Sequence, residues 1–358
     1  MAVTKVFPDK LGGHIGQQGL SPIYIVAGDE PLLHMEACDT VRAAVRNHGI
    51  DERDILQVEN GFSWQQLLES ANSMSLFAEH KLIELRLGTQ SPGQEGGKVL
   101  TAYAQQARDS GNILLLSAGR FDYKTQQTQW FKALSTHGVF VPVWPVDYSR
   151  LPYWIRQRAQ RYELNLGNDA AALMAARYEG NLLAADQALG RMQLMLPPRT
   201  QLSAEMIEQH ADNGARFDVF TLSDAWLGGE RERSFRILEG LRGEGVEAPI
   251  VLWSITRELR TLLSVLQHMD QGQHFDQACK SQRPMIPERR RPLYQKAVSR
   301  LPHARLNKML LFSQRLDLAI KGAVALPLWD ALHDIVLTLS GGRGPLCEWN
   351  MAYRLSAG

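Results

Sequence analysis

The sequence predicts an α/β domain at the N-terminus, built on a mostly parallel sheet with flanking helices, then a small helical domain and a larger all-helical one. Three observations carry this. Short β-branched, aliphatic and aromatic runs at 23–26, 54–59, 81–87, 112–118 and 139–144 alternate with helical patterns, the order a parallel sheet with crossover helices requires. Strand signals end after Pro145. Beyond about Ala215 the amphipathic helical patterns lengthen. At 358 residues the chain exceeds one ordinary core, so two or three domains are expected.

The run at 23–26 leads through Ala27-Gly28 to the acidic pair Asp29-Glu30. Pro31 suits the first turn of a helix, and Leu33, Ala37, Val41, Ala44 and Val45 recur at helical spacing until Gly49. Further helices are predicted at 63–70, 98–109 and 126–137, between the later strands. Short helical patterns follow at 150–163, 169–178, 181–196 and 203–211, punctuated by Gly167, Gly180 and Pro197-Pro198. Longer ones occupy 222–227, 230–242, 249–269, 293–301, 305–322 and 327–340, and Gly341-Gly342 stops the last. The predicted boundaries are 1–146, 147–213, 214–340 and a tail at 341–358.

Composition narrows the function. With 44% hydrophobic and 22% charged residues the chain reads as soluble and globular. Lys plus Arg number 39 against 38 for Asp plus Glu, so no overall basic field recommends a stand-alone DNA binder. Cys38, Cys279 and Cys347 are odd in number and far apart, which argues against a disulfide framework and suits a reducing cytoplasm. The N-terminus has no apolar signal core and no run reaches a membrane span, so the expected location is cytoplasmic, with no membrane contact.

The turn after the first strand is where a nucleotide-binding α/β domain would carry its phosphate loop. Counting from Gly28, the second Gly of Gly-x-x-x-x-Gly-Lys-Ser/Thr is Leu33, the Lys is His34 and the Ser/Thr is Met35. Only Gly28 meets the requirement, and Asp29 and Glu30 would repel a triphosphate, so no ATP binding is expected here. Nor do the later strands end in an Asp-Glu pair that would hold magnesium: 81–87 ends in Arg86-Leu87-Gly88 and 112–118 in Gly119-Arg120. Arg120, at a strand end, reads either as a surface residue or as a finger acting on a neighbour's phosphate. The chain has no His-Glu-x-x-His, no Cys-x-x-Cys and no Gly-x-Ser-x-Gly, so neither a metal nor a nucleophile elbow is expected.

Two stretches point to partners. Between a predicted helix and strand, the segment 71–80 sets Met74, Leu76 and Phe77 among small and polar residues. Such apolar side chains in a loop either fold back onto their own domain or plug a pocket on another protein. The run from Arg283 to Arg305 is basic and broken by proline, with Arg289, Arg290 and Arg291 at its centre. It reads as a solvated face, a partner contact or a DNA backbone contact.

Ser73-Met74-Ser75-Leu76-Phe77 resembles the short motif, ideally Gln-Leu-Ser/Asp-Leu-Phe, by which replication proteins dock on a sliding clamp. With it stand the segment from Tyr24 to Leu33, the run Tyr178-Glu179-Gly180-Asn181-Leu182-Leu183-Ala184-Ala185, Phe217-Asp218-Val219-Phe220 and Thr256-Arg257-Glu258-Leu259. Together they resemble the delta family of the bacterial DNA polymerase III clamp loader over nearly the whole chain. The resemblance implies an AAA+-like α/β domain, a helical lid domain and a helical collar domain. It also implies a non-catalytic part of a DNA-directed DNA polymerase holoenzyme, a nucleotidyltransferase, with no cofactor. The implied partners are the sliding clamp (the beta ring), ATP-binding motor subunits and a delta-prime subunit in a ring of five, and primed DNA through the assembled complex. Leu76 and Phe77 would be the plug, with Met74 in an adjacent pocket, although Ser73 replaces the favoured Gln. Ser117-Ala118-Gly119-Arg120 does not match the Ser-Arg-Cys finger of partner subunits. An active ATPase with an unusual phosphate loop and a helical adaptor or DNA-binding module are the alternatives.

Overall fold

The computed structural model describes residues 3–73, 80–107, 109–211 and 214–343. The chain divides into two compact units, 1–212 and 213–358. In the first unit β1 (Thr4–Lys5), β2 (Ile23–Gly28), β3 (Arg53–Gln57), β4 (Leu82–Gly88), β5 (Ile113–Ala118) and β6 (Val139–Val143) form a parallel sheet in the order β1-β6-β2-β5-β4-β3. β2 and β5 are nearly continuous apolar runs because both their faces are covered, whereas β3 at the edge alternates.

Helices α1 (Pro8–Gln18) and α2 (Pro31–Asn47) cover one face, packing Leu11, Ile15, Val41 and Val45 against Tyr24, Val26 and Val141. α3 (Gln65–Asn72), α4 (Gly93–Gln106) and α6 (Gln129–Thr136), with the single turn α5 (Tyr123–Gln126), cover the other. Two features escape the sequence reading. β1 and the glycine-containing α1 show no strong periodicity, since only Leu11 and Ile15 of the helix are buried. α4 begins at Gly93 rather than at 98, because its glycines weaken the helical signal. A Cβ on Gly96 would lie 2.3 Å from the Trp64 ring, so packing there takes precedence over propensity.

α7 (Leu151–Arg161), α8 (Asn168–Arg177), α9 (Leu182–Met195) and α10 (Ala204–His210) gather around Ile155, Met174, Leu189 and Ile207. Leu32 of α2 joins that cluster. Strand structure does not end after Pro145, as the sequence suggested. β7 (Asn165–Leu166) pairs in parallel with β8 (Gln201–Leu202), and both are too short to show a period. Asn181, from the lid-like run, caps α9 by accepting from the Ala184 backbone N–H at 3.1 Å.

The second unit is helical: α11 (Val219–Gly228), α12 (Arg231–Gly243), α13 (Ala248–Asp270), α14 (Phe275–Ser281), α15 (Arg291–Arg300), α16 (His303–Ile320) and α17 (Leu328–Leu339). α14 is an element the sequence reading did not contain. The core runs along α13 through Val251, Ile255, Leu259 and Leu262. Arg300 Nη2 donates to the carbonyls of Trp226, Leu227 and Leu339, satisfying the C-terminal ends of α11 and α17 with one charged group. Gly341, at φ 89°, then ends α17 as the sequence suggested.

Candidate functional site

β2 ends at Gly28 between β5 and β6, where the chain order reverses and an open α/β sheet would hold a ligand. The turn is closed by its own residues. A Cβ on Gly28 would stand 1.7 Å from the Val143 carbonyl oxygen, so β6 leaves room for glycine alone. Gly28→Ala is therefore expected to lower stability by about 1–3 kcal/mol, as overpacking does, with an unchanged thermal midpoint as the contrary result.

Next, Asp29 Oδ1 accepts from the Arg120 backbone N–H at 3.1 Å. Glu30, buried, accepts at Oε1 from the Leu32 backbone N–H at 3.2 Å. Burial pushes the Glu30 carboxyl up and the Leu32 bond opposes it. Pro31 has no N–H to offer, so the first turn of α2 presents fewer donors than a phosphate needs.

His34, standing where the phosphate-loop lysine would be, is hydrogen-bonded to the Gly28 backbone, and burial pushes its imidazole pKa down. Leu33 is half-buried against the apolar clusters on either side of α2, and Met35 faces solvent. Arg120 lays its guanidinium 4.8 Å from the Trp144 ring centroid. A cavity of about 320 Å³ runs along α2, lined by His34, Met35, Cys38, Arg42, Glu84 and Arg86 among others. Arg42, Glu84 and Arg86 of its lining form one cluster with Arg53. Buried Glu84 accepts from Arg42 at 2.6 Å and from Arg86 at 2.7 Å, and pairs with Arg53 at 2.5 Å.

Met74, Leu76 and Phe77 lie outside the described residues. The residues on either side of 74–79 are tied to the sheet. Lys81 Nζ donates to Ser73 Oγ at 2.7 Å and to Asp54 Oδ2 at 3.0 Å, and Ser73 Oγ donates to the Ser70 carbonyl at 3.0 Å. Asn112 accepts from the Lys81 backbone N–H and donates to the Ala71 carbonyl, each at 3.0 Å. The ring of His80 packs where a Cβ on Gly111 would stand, 2.2 Å away. Sequence reasoning missed Lys81, Asp54 and Asn112, whose partners lie up to 41 residues away and leave no local signal. Ser73, read as a weak stand-in for glutamine, has its hydroxyl engaged by Lys81.

In the helical unit the three arginines have different surroundings. Arg289 is exposed, Arg290 pairs with Asp224 at 2.7 Å and reaches buried Glu258 at 3.4 Å, and Arg291 pairs with Asp276 at 3.4 Å. Among the described residues no cluster of His, Cys, Asp or Glu could hold a metal, and no helix is long and apolar enough to cross a membrane.

The family described as "DNA polymerase III, delta subunit" matches residues 24–143, and that described as "Processivity clamp loader gamma complex DNA pol III C-term" matches 219–345. The chain is 29% identical to DNA polymerase III subunit delta of Escherichia coli K12 over 94% of this chain and 96% of that one. It is 27% identical to the corresponding subunit of Haemophilus influenzae over 93% and 98%. A solved Bacillus subtilis clamp loader delta protein superposes with a TM-score of 0.52 at 16% identity, covering 93% of this chain and 99% of that one. Fold and comparisons together define a clamp-loader type of chain, a parallel α/β module with flanking helices followed by a helical domain. The chain belongs to the delta subunit family of the DNA polymerase III clamp loader.

Proposed function

We propose that this chain binds a sliding clamp and favours its opened form during loading onto primed DNA, without hydrolysing ATP itself. Leu76 and Phe77 are the plug and Met74 fills an adjacent pocket. ATP-binding motor subunits and a delta-prime subunit complete the loader in the cytoplasm, and primed DNA is reached through the assembled complex. Three parts are assigned within the chain: the α/β domain to 146, a helical lid to 213 and a collar domain to 340. Opening follows from thermodynamics: a subunit that binds the open ring more tightly than the closed one shifts the ring equilibrium by that difference.

The observation that carries the non-hydrolysing role is the first turn of α2. Glu30 occupies the Leu32 N–H, Gly28 is pressed on β6, and His34 replaces the phosphate-binding lysine. Both family matches and the firm bases on either side of 74–79 support the clamp contact.

Titration of the purified chain with ATP and magnesium is expected to show no saturable binding in the micromolar range. Saturable micromolar binding would contradict the reading of Gly28 to Met35 as a turn that takes no nucleotide.

A further inference from the structure

Helix α2 belongs to two cores at once. Val41 and Val45 pack with the sheet, Leu32 packs with α7–α10, and Leu33 touches both clusters. Glu36 follows Leu32 by four residues and so lies on the same face of the helix. Its Oε1 accepts from Arg158 Nη2 and stands 3.5 Å from Arg161 Nη1, both on α7. Residues 1–212, which take in both cores, form one compact unit.

Arg158 is the centre of this contact, with a side chain only 4% exposed. Its Nε donates to Asp186 Oδ1 on α9 at 2.5 Å, and the Tyr162 hydroxyl donates to the same oxygen at 2.7 Å. The Trp154 ring centroid lies 5.3 Å from the guanidinium. One buried cation thus joins α2, α7 and α9. Removing a partner from a buried ion pair leaves a charge that water does not reach, which costs far more than losing a pair on the surface.

The reach of Arg158 sets it apart from a residue that only packs. Asp186 and Tyr162 belong to the α7–α10 part, whereas Glu36 stands 122 residues earlier in the chain. A group that merely held α7 on α9 would need no partner on α2. The seam is also closed without a ligand, since Glu30 caps the first turn of α2 and Gly28 is pressed on β6.

We infer that Arg158 is a lock: through Glu36 it couples the α/β sheet and α7–α10 into one cooperative body that needs no nucleotide to hold it together. This rests on the reading of Gly28 to Met35 as a turn that takes no nucleotide. The test is native-state hydrogen exchange of the full-length chain, read by mass spectrometry with and without ATP and magnesium. In the wild type the slowest amides of α9 are expected to exchange within about tenfold of those of β2 and β5, with or without ATP. Arg158→Met keeps an unbranched apolar stem beside Trp154 and removes the charge. It is expected to speed exchange in α9 at least about a hundredfold while β2 and β5 keep their rates. Glu36→Gln, whose side chain is 34% exposed, cuts the charge on α2 and leaves the α7–α9 contact whole. It is expected to speed α9 about tenfold with the sheet unchanged, and decides the matter should the Arg158 variant unfold.

Equal acceleration in α9 and in the sheet would show that the two parts stay coupled without Arg158, and overturns the inference alone. So does a Glu36→Gln chain that exchanges as the wild type does, because the tie to α2 then carries nothing. A wild-type α9 that exchanges far faster than the sheet, and slows when ATP is added, overturns both the lock and the reading of the turn.

Discussion

Replacing Leu76 and Phe77 together with alanine is expected to weaken binding of the full-length chain to its purified sliding clamp by roughly two to four orders of magnitude. Burying a Leu and a Phe contributes about 1.5–3 kcal/mol each, or about 3–6 kcal/mol together, and every 1.4 kcal/mol is a factor of ten. That is an upper figure, since ordering the segment and displacing water at the ring offset part of it. On either side of that stretch Lys81 donates to Ser73 and to Asp54. The thermal midpoint of the variant should match that of the wild type. Binding that survives the double substitution unchanged would end the plug assignment, and the clamp would have to be held elsewhere.

Glu84→Gln is expected to destabilise the α/β unit by about 3 kcal/mol, which lowers the thermal midpoint by about 6–12 °C for a unit of this size. The side chain keeps its shape, so no cavity is opened. What is lost is the charge that holds Arg42, Arg53 and Arg86 together on the α2 side of the sheet. Burial by itself pushes the Glu84 carboxyl up, but hydrogen bonds from Arg42 and Arg86 and the charges of Arg42 and Arg53 outweigh it and hold the pKa at about 2. A carboxylate held below its unfolded value stabilises the fold fully above that value, near 4.5, and loses the effect as pH falls toward about 2. The difference in urea-unfolding free energy between wild type and variant should therefore be constant from pH 7 to about 5 and shrink below about 4.5. A difference that stays flat down to pH 3 would show that the charge of Glu84 is not what the guanidinia require.

The strands and crossover helices of the α/β unit were legible because burial on both faces produces uninterrupted apolar runs such as Ile23–Gly28 and Ile113–Ala118. The long helices from 219 to 339 were legible from their amphipathic period. α1 and α14 were not, because few of their residues are buried: Leu11 and Ile15 in one, Ala278 and Cys279 in the other. The early start of α4 was hidden by its glycines, of which Gly96 is required by the Trp64 ring. At the candidate phosphate turn the sequence already showed that the Lys and Ser/Thr were absent. It did not show that Glu30 would cap the helix that a phosphate would otherwise approach.

The sequence by itself determined the order of the main strands and the long helices, the family and the chemistry missing from the first turn, because periodicity and residue identity are local properties of the chain. Tertiary structure alone decided that Glu84 would gather three arginines, that Lys81 and Asn112 would secure the residues around 74–79, and that Arg158 would join Glu36 to Asp186. Those contacts join residues brought close by the parallel crossovers and by helix packing. No local pattern encodes such distances until the chain has folded.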